Sequence, residues 1–452
     1  MTDITIDLNK SEGFVVPQVQ RASDWVAGFL SYQDLVAALG NVAEREAGAM
    51  LIETPDDLFS RLSSIDPTGW WIRDGAFDDD NSETFTNGPP DKLKPEDARW
   101  PNGPDKNLDG TPTGFGPDFY SVLNYLQYGG KCFVVGRTDN LPETQYNLIE
   151  TLENTTELIN CVYTTNPTEN NAIMDIAQKR GDCVAICQVN VKAPVSSTFP
   201  DGFPTDDDTR QNRNTFHVAG QKVHQGTDIN SDLLTTGVAA DIAGCMSRVR
   251  SSTTKFGSPA GIDAGNILNV VRMQYDLTAD DRDKLMEKFV NPVRTFAGLG
   301  TSLQGDRTGN KDISQKIFNY LNVNVTYMYI NRLISNVVRE YMFRENNAST
   351  QSSITSSIES ILRRVVASGG LKPEYSVICD KTNNPESVVL DGNLVVQVTI
   401  AFVLSIQKIS LRFRTLSDNQ GIRNLNTSSV SGGSSSSTSS TSSTSSSGGS
   451  SY

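Results

Sequence analysis

The sequence predicts a chain of mixed α/β and α+β class: an α/β sheet domain, then a C-terminal α+β domain, with an extended β-strand arm at each end. Three observations predict it. Short apolar runs alternate with helical periods from Asp118 to Val189, two amphipathic helices and two strands follow one another from Tyr327 to Val403, and alternating strands stand near both ends.

The first half of the chain alternates helices with strands. Helices are predicted at Tyr32 to Leu39, Phe119 to Tyr128, Glu143 to Leu152 and Asn171 to Gln178, and strands at Lys131 to Val135, Leu158 to Thr164 and Cys183 to Val189. This alternation is typical of a parallel sheet flanked by helices. Two polar stretches, about 74–116 and 194–231, are expected to be outward-facing loops, and a helix at Thr235 to Arg250 is expected to return the chain to the sheet.

The last third changes from helical to strand periodicity. Apolar residues from Met328 to Tyr341 recur at spacings of three and four, which predicts an amphipathic helix. A second helix carries Ile354, Ile358, Ile361, Leu362 and Val365 on one face and stops at Gly369. A strand at Tyr375 to Cys379, a turn at Asp380 to Pro385 and a strand at Asn393 to Val403 are predicted to follow.

Both ends of the chain carry a strand without a local partner. Near the N-terminus the alternating apolar residues are Ile4, Ile6 and Leu8, and near the C-terminus they are Ile409, Leu411 and Phe413. An unpaired strand edge favours aggregation unless its intended partner is another copy of the same chain. Strand addition between copies is a heterologous contact, which propagates into rings or helices.

These patterns divide the chain into five segments. They are an N-terminal arm (1–20), an α/β domain (21–257), a C-terminal domain (258–404), a C-terminal arm strand (405–416) and a tail rich in Ser, Thr and Gly (417–452). The tail is expected to be flexible, because it has too little apolar surface to offset the entropy of ordering.

Composition limits the partners. The 452 residues include 39 basic and 53 acidic side chains, a formal charge of −14, which disfavours nonspecific nucleic-acid binding. No segment approaches the roughly 18 apolar residues of a membrane span, so no membrane insertion is expected. The six cysteines lie mostly in apolar runs, as buried thiols of a reducing compartment do.

The sequence contains only weak motifs for catalysis, cofactor binding or metal binding. The sequence contains no phosphate-binding glycine loop of either common type and no GxSxG elbow, and its two histidines, His217 and His224, fall in a polar stretch. Residues Asp105 to Gly110 match only the first half of a calcium loop, since Gly116 stands where a glutamate is needed. We therefore expect no catalytic residue, metal or cofactor. An α/β enzyme with an unrecognised site remains the alternative.

A family resemblance rests on motifs in a fixed order. They are DFYSVLNYLQYGGKCFVV (Asp118 to Val135), ADIAGCMSRV (Ala240 to Val249), SPAGIDAGNILNV (Ser258 to Val270), VNPVRTF (Val290 to Phe296), GDRT (Gly305 to Thr308), INRL (Ile330 to Leu333) and VICDKTNNP (Val377 to Pro385). Because these motifs are collinear from Asp118 to Thr415, the chain resembles a contractile phage tail sheath protein of the myovirus type.

The resemblance implies a structural role. Sheath proteins form stacked six-subunit rings around a rigid tube, exchange terminal arms between neighbours and contract as nearly rigid subunits. It implies that this chain assembles with itself, with a tail tube protein and with baseplate and tail terminator proteins, in the infected host cytoplasm, and that it resides in the virion. Arg363 and Arg364 are candidate tube contacts, and a solvated helix face is the alternative interpretation of the pair.

Overall fold

The computed structural model describes residues 25–31, 35–41, 43–44, 48–63, 117–136, 159–191, 195, 212–225, 233–252 and 255–406. The chain separates into two compact units, Met1–Ser405 and Ile406–Tyr452, and every element named below belongs to the first. The predicted arm residues Ile4, Ile6, Leu8, Ile409, Leu411 and Phe413 lie outside the described residues. So do the helix predicted at Glu143 to Leu152, the loop predicted at 74–116 and the partial calcium loop.

An eight-stranded sheet forms the centre of this unit. Its strands are β1 (Val26–Leu30), β2 (Ala49–Ile52), β3 (Lys131–Val135), β4 (Ile159–Thr164), β5 (Val184–Val189), β6 (Thr215–Ala219), β10 (Val290–Phe296) and β11 (Gly300–Leu303), in the order β11-β10-β6-β5-β4-β1-β3-β2. Neighbours from β10 to β3 run parallel, and the edge strands β2 and β11 pair antiparallel. The predicted parallel sheet is confirmed.

Helices cover both faces of the sheet. They are α1 (Leu35–Leu39), α2 (Pro55–Ser63), α3 (Pro117–Leu126), α4 (Asn170–Arg180), α5 (Ala239–Ser251) and α6 (Ala279–Glu287). On one face Phe29 and Tyr163 share a core with α3 and α5. On the other, Ile159 and Val162 pack with Ile173 of α4. Burial on both faces explains why β4 and β5 are buried at every position.

A small three-stranded sheet corrects one prediction. It contains β7 (Gln221–Gln225), β8 (Leu233–Gly237) and β9 (Arg272–Met273), with β7 in the middle. The stretch 194–231 was expected to be an outward loop, and this is wrong for β6 and β7. Their polar residues His217, Lys222 and His224 are buried, so the polarity of the segment concealed two strands. The helix predicted from Thr235 begins only at Ala239, because the residues before it continue β8.

The rest of the unit contains two long helices and a strand pair. After a 3₁₀ segment (Ile313–Asn319) come α7 (Leu321–Glu340), α8 (Ala348–Ala367), β12 (Leu371–Ile378), α9 (Glu386–Leu390) and β13 (Gln397–Phe402). Both long helices start before the predicted residues. The predicted boundary at 257/258 does not separate two sheets, since β10 pairs with β6 of the main sheet.

Candidate assembly interface

The C-terminal core is a layer of two helices against two strands. Helix α8 contributes the predicted stripe, Ile354, Ile358, Ile361, Leu362 and Val365, and all five side chains are buried. Asn347 caps α8 by accepting a hydrogen bond from the Thr350 N–H at 2.9 Å. From β13, Val398, Ile400 and Phe402 point into the same core, as expected for alternate residues of a strand. This helical layer holds the strand pair in place.

Strands β12 and β13 pair antiparallel, with Tyr375 opposite Ile400 and Val377 opposite Val398. Asn384 organises their connection: its Nδ2 atom donates to the Val395 carbonyl at 2.9 Å, and its Oδ1 atom accepts from the Val395 N–H at 2.6 Å. The Asn384 amide therefore forms with the Val395 backbone the same donor and acceptor pair of hydrogen bonds that a neighbouring strand would form. The turn predicted at Asp380 to Pro385 is confirmed.

The strand pair has open edges. Within the described residues, neither β12 nor β13 pairs with a third strand. Pro373 lies in β12 where the register shifts between Leu371 and Tyr375, so that part of the strand lacks one backbone donor. A sheet with free edges accepts further strands through backbone hydrogen bonds.

The chain leaves this sheet at an anchored point. The Ser405 hydroxyl donates to Oδ2 of Asp306 at 2.6 Å, and Nδ2 of Asn322 donates to the Val403 carbonyl at 3.3 Å. These contacts fix the end of β13 against the segment after β11 and the start of α7. Ser405, the last residue of the first unit, is thus held close to the end of β13.

The two candidate tube-contact residues lie on the outer face of α8. Arg363 and Arg364 are both exposed, whereas the adjacent Leu362 and Val365 are buried. Arg363 lies 3.5 Å from Glu359, an exposed pair one helical turn apart. The arginines are therefore accessible to a partner, and their role remains a prediction.

The described residues offer little for catalysis. Among them, no three His, Cys, Asp or Glu side chains are grouped to hold a metal ion. His217 and His224 are buried in β6 and β7. All six cysteines are free and buried, as the apolar runs predicted, and burial raises the pKa of Cys132, Cys183 and Cys245 to about 12. No helix in the described part of the chain is long and apolar enough to cross a membrane.

This combination of a parallel sheet, a helical layer and a C-terminal strand pair is the fold of a contractile sheath subunit. It matches the sheath complex of an extracellular contractile injection system, PVC, in its contracted state, with a TM-score of 0.61 at 16% identity over 93% of this chain and 99% of that one. The helical sheath of the anti-feeding prophage in its contracted state matches with a TM-score of 0.59, over 90% of this chain and 99% of that one, also at 16% identity.

The sequence comparisons find similarity to phage tail sheath proteins. Residues 314–415 match the phage tail sheath C-terminal domain. The tail sheath protein of Enterobacteria phage T4 is 30% identical over 253 residues, which cover 53% of this chain and 38% of that protein. The tail sheath protein of Vibrio phage KVP40 is 34% identical over 176 residues, 39% of this chain and 26% of that protein. The chain thus spans well under half the length of these relatives. The resemblance to contractile phage tail sheath proteins is confirmed.

Two features of the interface escaped the sequence analysis. The contact between Asp306 and Ser405 joins residues 99 positions apart, and nothing near either residue signals the pairing. The pairing of Asn384 with Val395 did have a local signal, because consecutive asparagines, Asn383 and Asn384, are typical of turns that bond to the backbone.

Proposed function

We propose that this chain is the structural, non-enzymatic subunit of a contractile tail sheath. One observation carries the proposal: among the residues that the structure describes, no third strand pairs with β12–β13, and the strand pair lies close to Ser405, where the first unit ends. The matched family domain continues to residue 415 and so includes the segment predicted to be an arm.

In this proposal the arms join neighbouring copies. The strands containing Ile4, Ile6 and Leu8, and Ile409, Leu411 and Phe413, leave one subunit and add to the β12–β13 pair of others. Backbone hydrogen bonds supply affinity, and the alternating apolar side chains set the register. Because donor and acceptor surfaces differ, the contact extends into rings and a helical lattice.

We infer the wider assembly from the resemblance to tail sheath proteins. Six-subunit rings stack around a tail tube, a baseplate and a terminator close the two ends, and the sheath is built in the host cytoplasm and carried in the virion. Contraction releases energy stored in the extended lattice and drives the tube through the host envelope. The subunits move as nearly rigid bodies, which the continuous sheet spanning the predicted domain boundary favours.

Electron microscopy of the purified full chain tests the proposal. We expect hollow striated tubes from the intact chain. Deleting residues 1–13 and everything after Ser405 should leave folded subunits that no longer polymerise. Deleting only residues 417–452 is the matched control, because it removes the tail and leaves both arms, and it should preserve the tubes. Compact discrete particles from the intact chain would contradict the proposal and favour the enzyme alternative.

A further inference from the structure

A cavity of about 70 Å³ lies between the main sheet and helix α7. Trp25 and Asn160 line it from the sheet side, and Val325, Met328, Tyr329 and Arg332 line it from α7. The cavity is also lined by Arg250 at the end of α5, by Lys255 and Phe256 after it, and by Asp182 before β5. The cavity therefore lies where three parts of the fold meet.

The charges around this cavity are unbalanced. Among the described residues that line the cavity, Arg250, Lys255 and Arg332 carry positive charge and Asp182 is the one carboxylate, in a chain whose formal charge is −14. Asp182 is already engaged, because Arg180 lies 3.0 Å from its Oδ1 atom. The wall of the cavity thus carries excess positive charge, which attracts anions.

Arg332 has a donor without a partner. Its side chain is 7% exposed, and its Nη2 atom donates to the Asp182 carbonyl at 3.0 Å and lies 3.4 Å from the Asp182 carboxylate. Its Nε atom is buried and has no hydrogen-bond partner. An unsatisfied donor on a buried cation is costly, so a ligand that accepts from it is stabilised.

Arg250 is held in place by one backbone hydrogen bond and by the aromatic rings of Trp25, Phe256 and Tyr329. Its Nη1 atom donates to the Lys255 carbonyl at 2.9 Å, and its guanidinium lies 4.8 Å from the centre of the Phe256 ring. It makes no ion pair with any described residue. Burial lowers the pKa of Arg250 to about 10, and the positive charge of Arg332 acts in the same direction. A bound anion would stabilise the charged guanidinium and so oppose both of these effects on the pKa of Arg250.

We propose that this cavity binds a small oxyanion such as inorganic phosphate, held by the guanidinium groups of Arg250 and Arg332. A water needs at least about 10–15 Å³ of such volume, so the cavity has room for a few waters or one small anion. Arginine suits the role, because its planar fork of donors matches the oxygen atoms of phosphate. Since the wall combines the sheet with α7, the bound anion fastens the helical layer to the sheet.

Isothermal titration calorimetry of the full chain with sodium phosphate, at ionic strength held constant with sodium chloride, tests this proposal. We expect one saturable site per chain. Arg250→Gln should weaken it roughly tenfold or more, because charge-assisted hydrogen bonds are lost. Arg213→Gln is the matched control, since Arg213 also stacks on aromatic rings, those of Phe318 and Tyr327, but does not line the cavity, and it should leave affinity unchanged.

Circular dichroism should first show that each variant is folded. If Arg250→Gln fails to fold, Lys255→Gln replaces it, because Lys255 is exposed and contributes little to folding. This variant should weaken phosphate binding a few-fold. Absence of saturable binding to the wild-type chain, or equal affinity in the cavity variant and in Arg213→Gln, would overturn the proposal.

Discussion

The Nζ atom of Lys222 lies 2.8 Å from Oδ1 of Asp241, and neither side chain is exposed to solvent. The Tyr128 hydroxyl donates to the same carboxylate oxygen at 3.1 Å and accepts from the Leu268 N–H at 2.8 Å. Lys222 also donates to the Leu268 carbonyl at 3.0 Å. A buried charge is tolerated only when it is paired and hydrogen-bonded. This network therefore fixes the small sheet, through β7, against α5.

Replacing Lys222 should strongly destabilise the unit. Lys222→Met leaves Asp241 buried without its counter-charge, and we expect a loss of about 3–5 kcal/mol in the free energy of unfolding. Urea denaturation of a disassembled preparation measures it. Lys284→Met is the control, because Lys284 forms an exposed pair with Asp280 at 2.6 Å and should show little change. Equal effects of the two substitutions would contradict a structural role for the buried pair.

The Lys222–Asp241 pair also shows why part of the fold was hidden from the sequence. Strands β3, β4 and β5 are predictable from the sequence because each of them is a short run of apolar residues. Strands β6 and β7 were missed because His217, Lys222 and His224 read as surface residues. Lys222 is buried because Asp241, 19 positions away, supplies its partner. The pairing of a buried lysine with a distant aspartate depends on the tertiary structure, so the sequence around Lys222 alone does not indicate it.

The candidate interface divides in the same way. The apolar stripe of α8 and the turn after Asp380 follow from helix and turn preferences, and both were predicted. The contact of Ser405 with Asp306 was not, because it depends on how β13 and the segment after β11 meet in three dimensions. The predicted arms lie outside the described residues, so their role stays a prediction.

The thiols should be protected in the native protein. All six cysteines are buried, and burial raises the pKa of Cys379 to about 11 and of Cys132 to about 12, which keeps them as unreactive thiols at mildly alkaline pH. Labelling with a chromogenic disulfide should be slow in buffer and reach six groups per chain in urea. Cys379, which adjoins the exposed turn at Asp380, should react first. Rapid labelling of several thiols in buffer would contradict the buried positions.

Acid should remove the contribution that the Asp281 carboxylate makes to the stability of the fold. Its carboxylate accepts from the hydroxyl and N–H of Thr278 and from the Val195 N–H, and these bonds lower its pKa below the ordinary 3.8. A carboxyl with a lowered pKa stabilises the fold fully above 3.8, and the contribution is lost as pH falls through the folded pKa.

Asp281→Asn should therefore cost most at neutral pH, and its difference from wild type should shrink as the pH falls below 3.8. Urea denaturation across this range measures the difference. Thr278→Val removes the hydroxyl partner and should reduce the same acid dependence in part. A difference between wild type and Asp281→Asn that stays constant with pH would rule out the carboxylate as its source.

Phe343 occupies a backbone conformation that suits glycine. Its φ angle is 65°, and its side chain is fully exposed at the end of α7, so no packing offsets the strain. Phe343→Gly and Phe343→Ala remove the same exposed ring, but only glycine adopts this φ freely. We expect the glycine variant to be more stable than the alanine variant by about 1 kcal/mol. Equal stabilities in urea denaturation would show that residue 343 is not strained.

Reversing the charge at Arg363 and Arg364 should separate tube binding from sheath assembly. Both side chains are exposed on α8, and neither contributes to the apolar core beneath, so Arg363→Glu with Arg364→Glu should leave folding unchanged. If they face an acidic tube surface, the reversal replaces attraction with repulsion.

We expect sheath polymers to form from the variant alone, while co-sedimentation of the variant with purified tubes is lost. Arg294→Glu, at an exposed arginine in β10, is the control and should retain co-sedimentation. Undiminished binding of the double variant to tubes would assign these arginines to a solvated helix face.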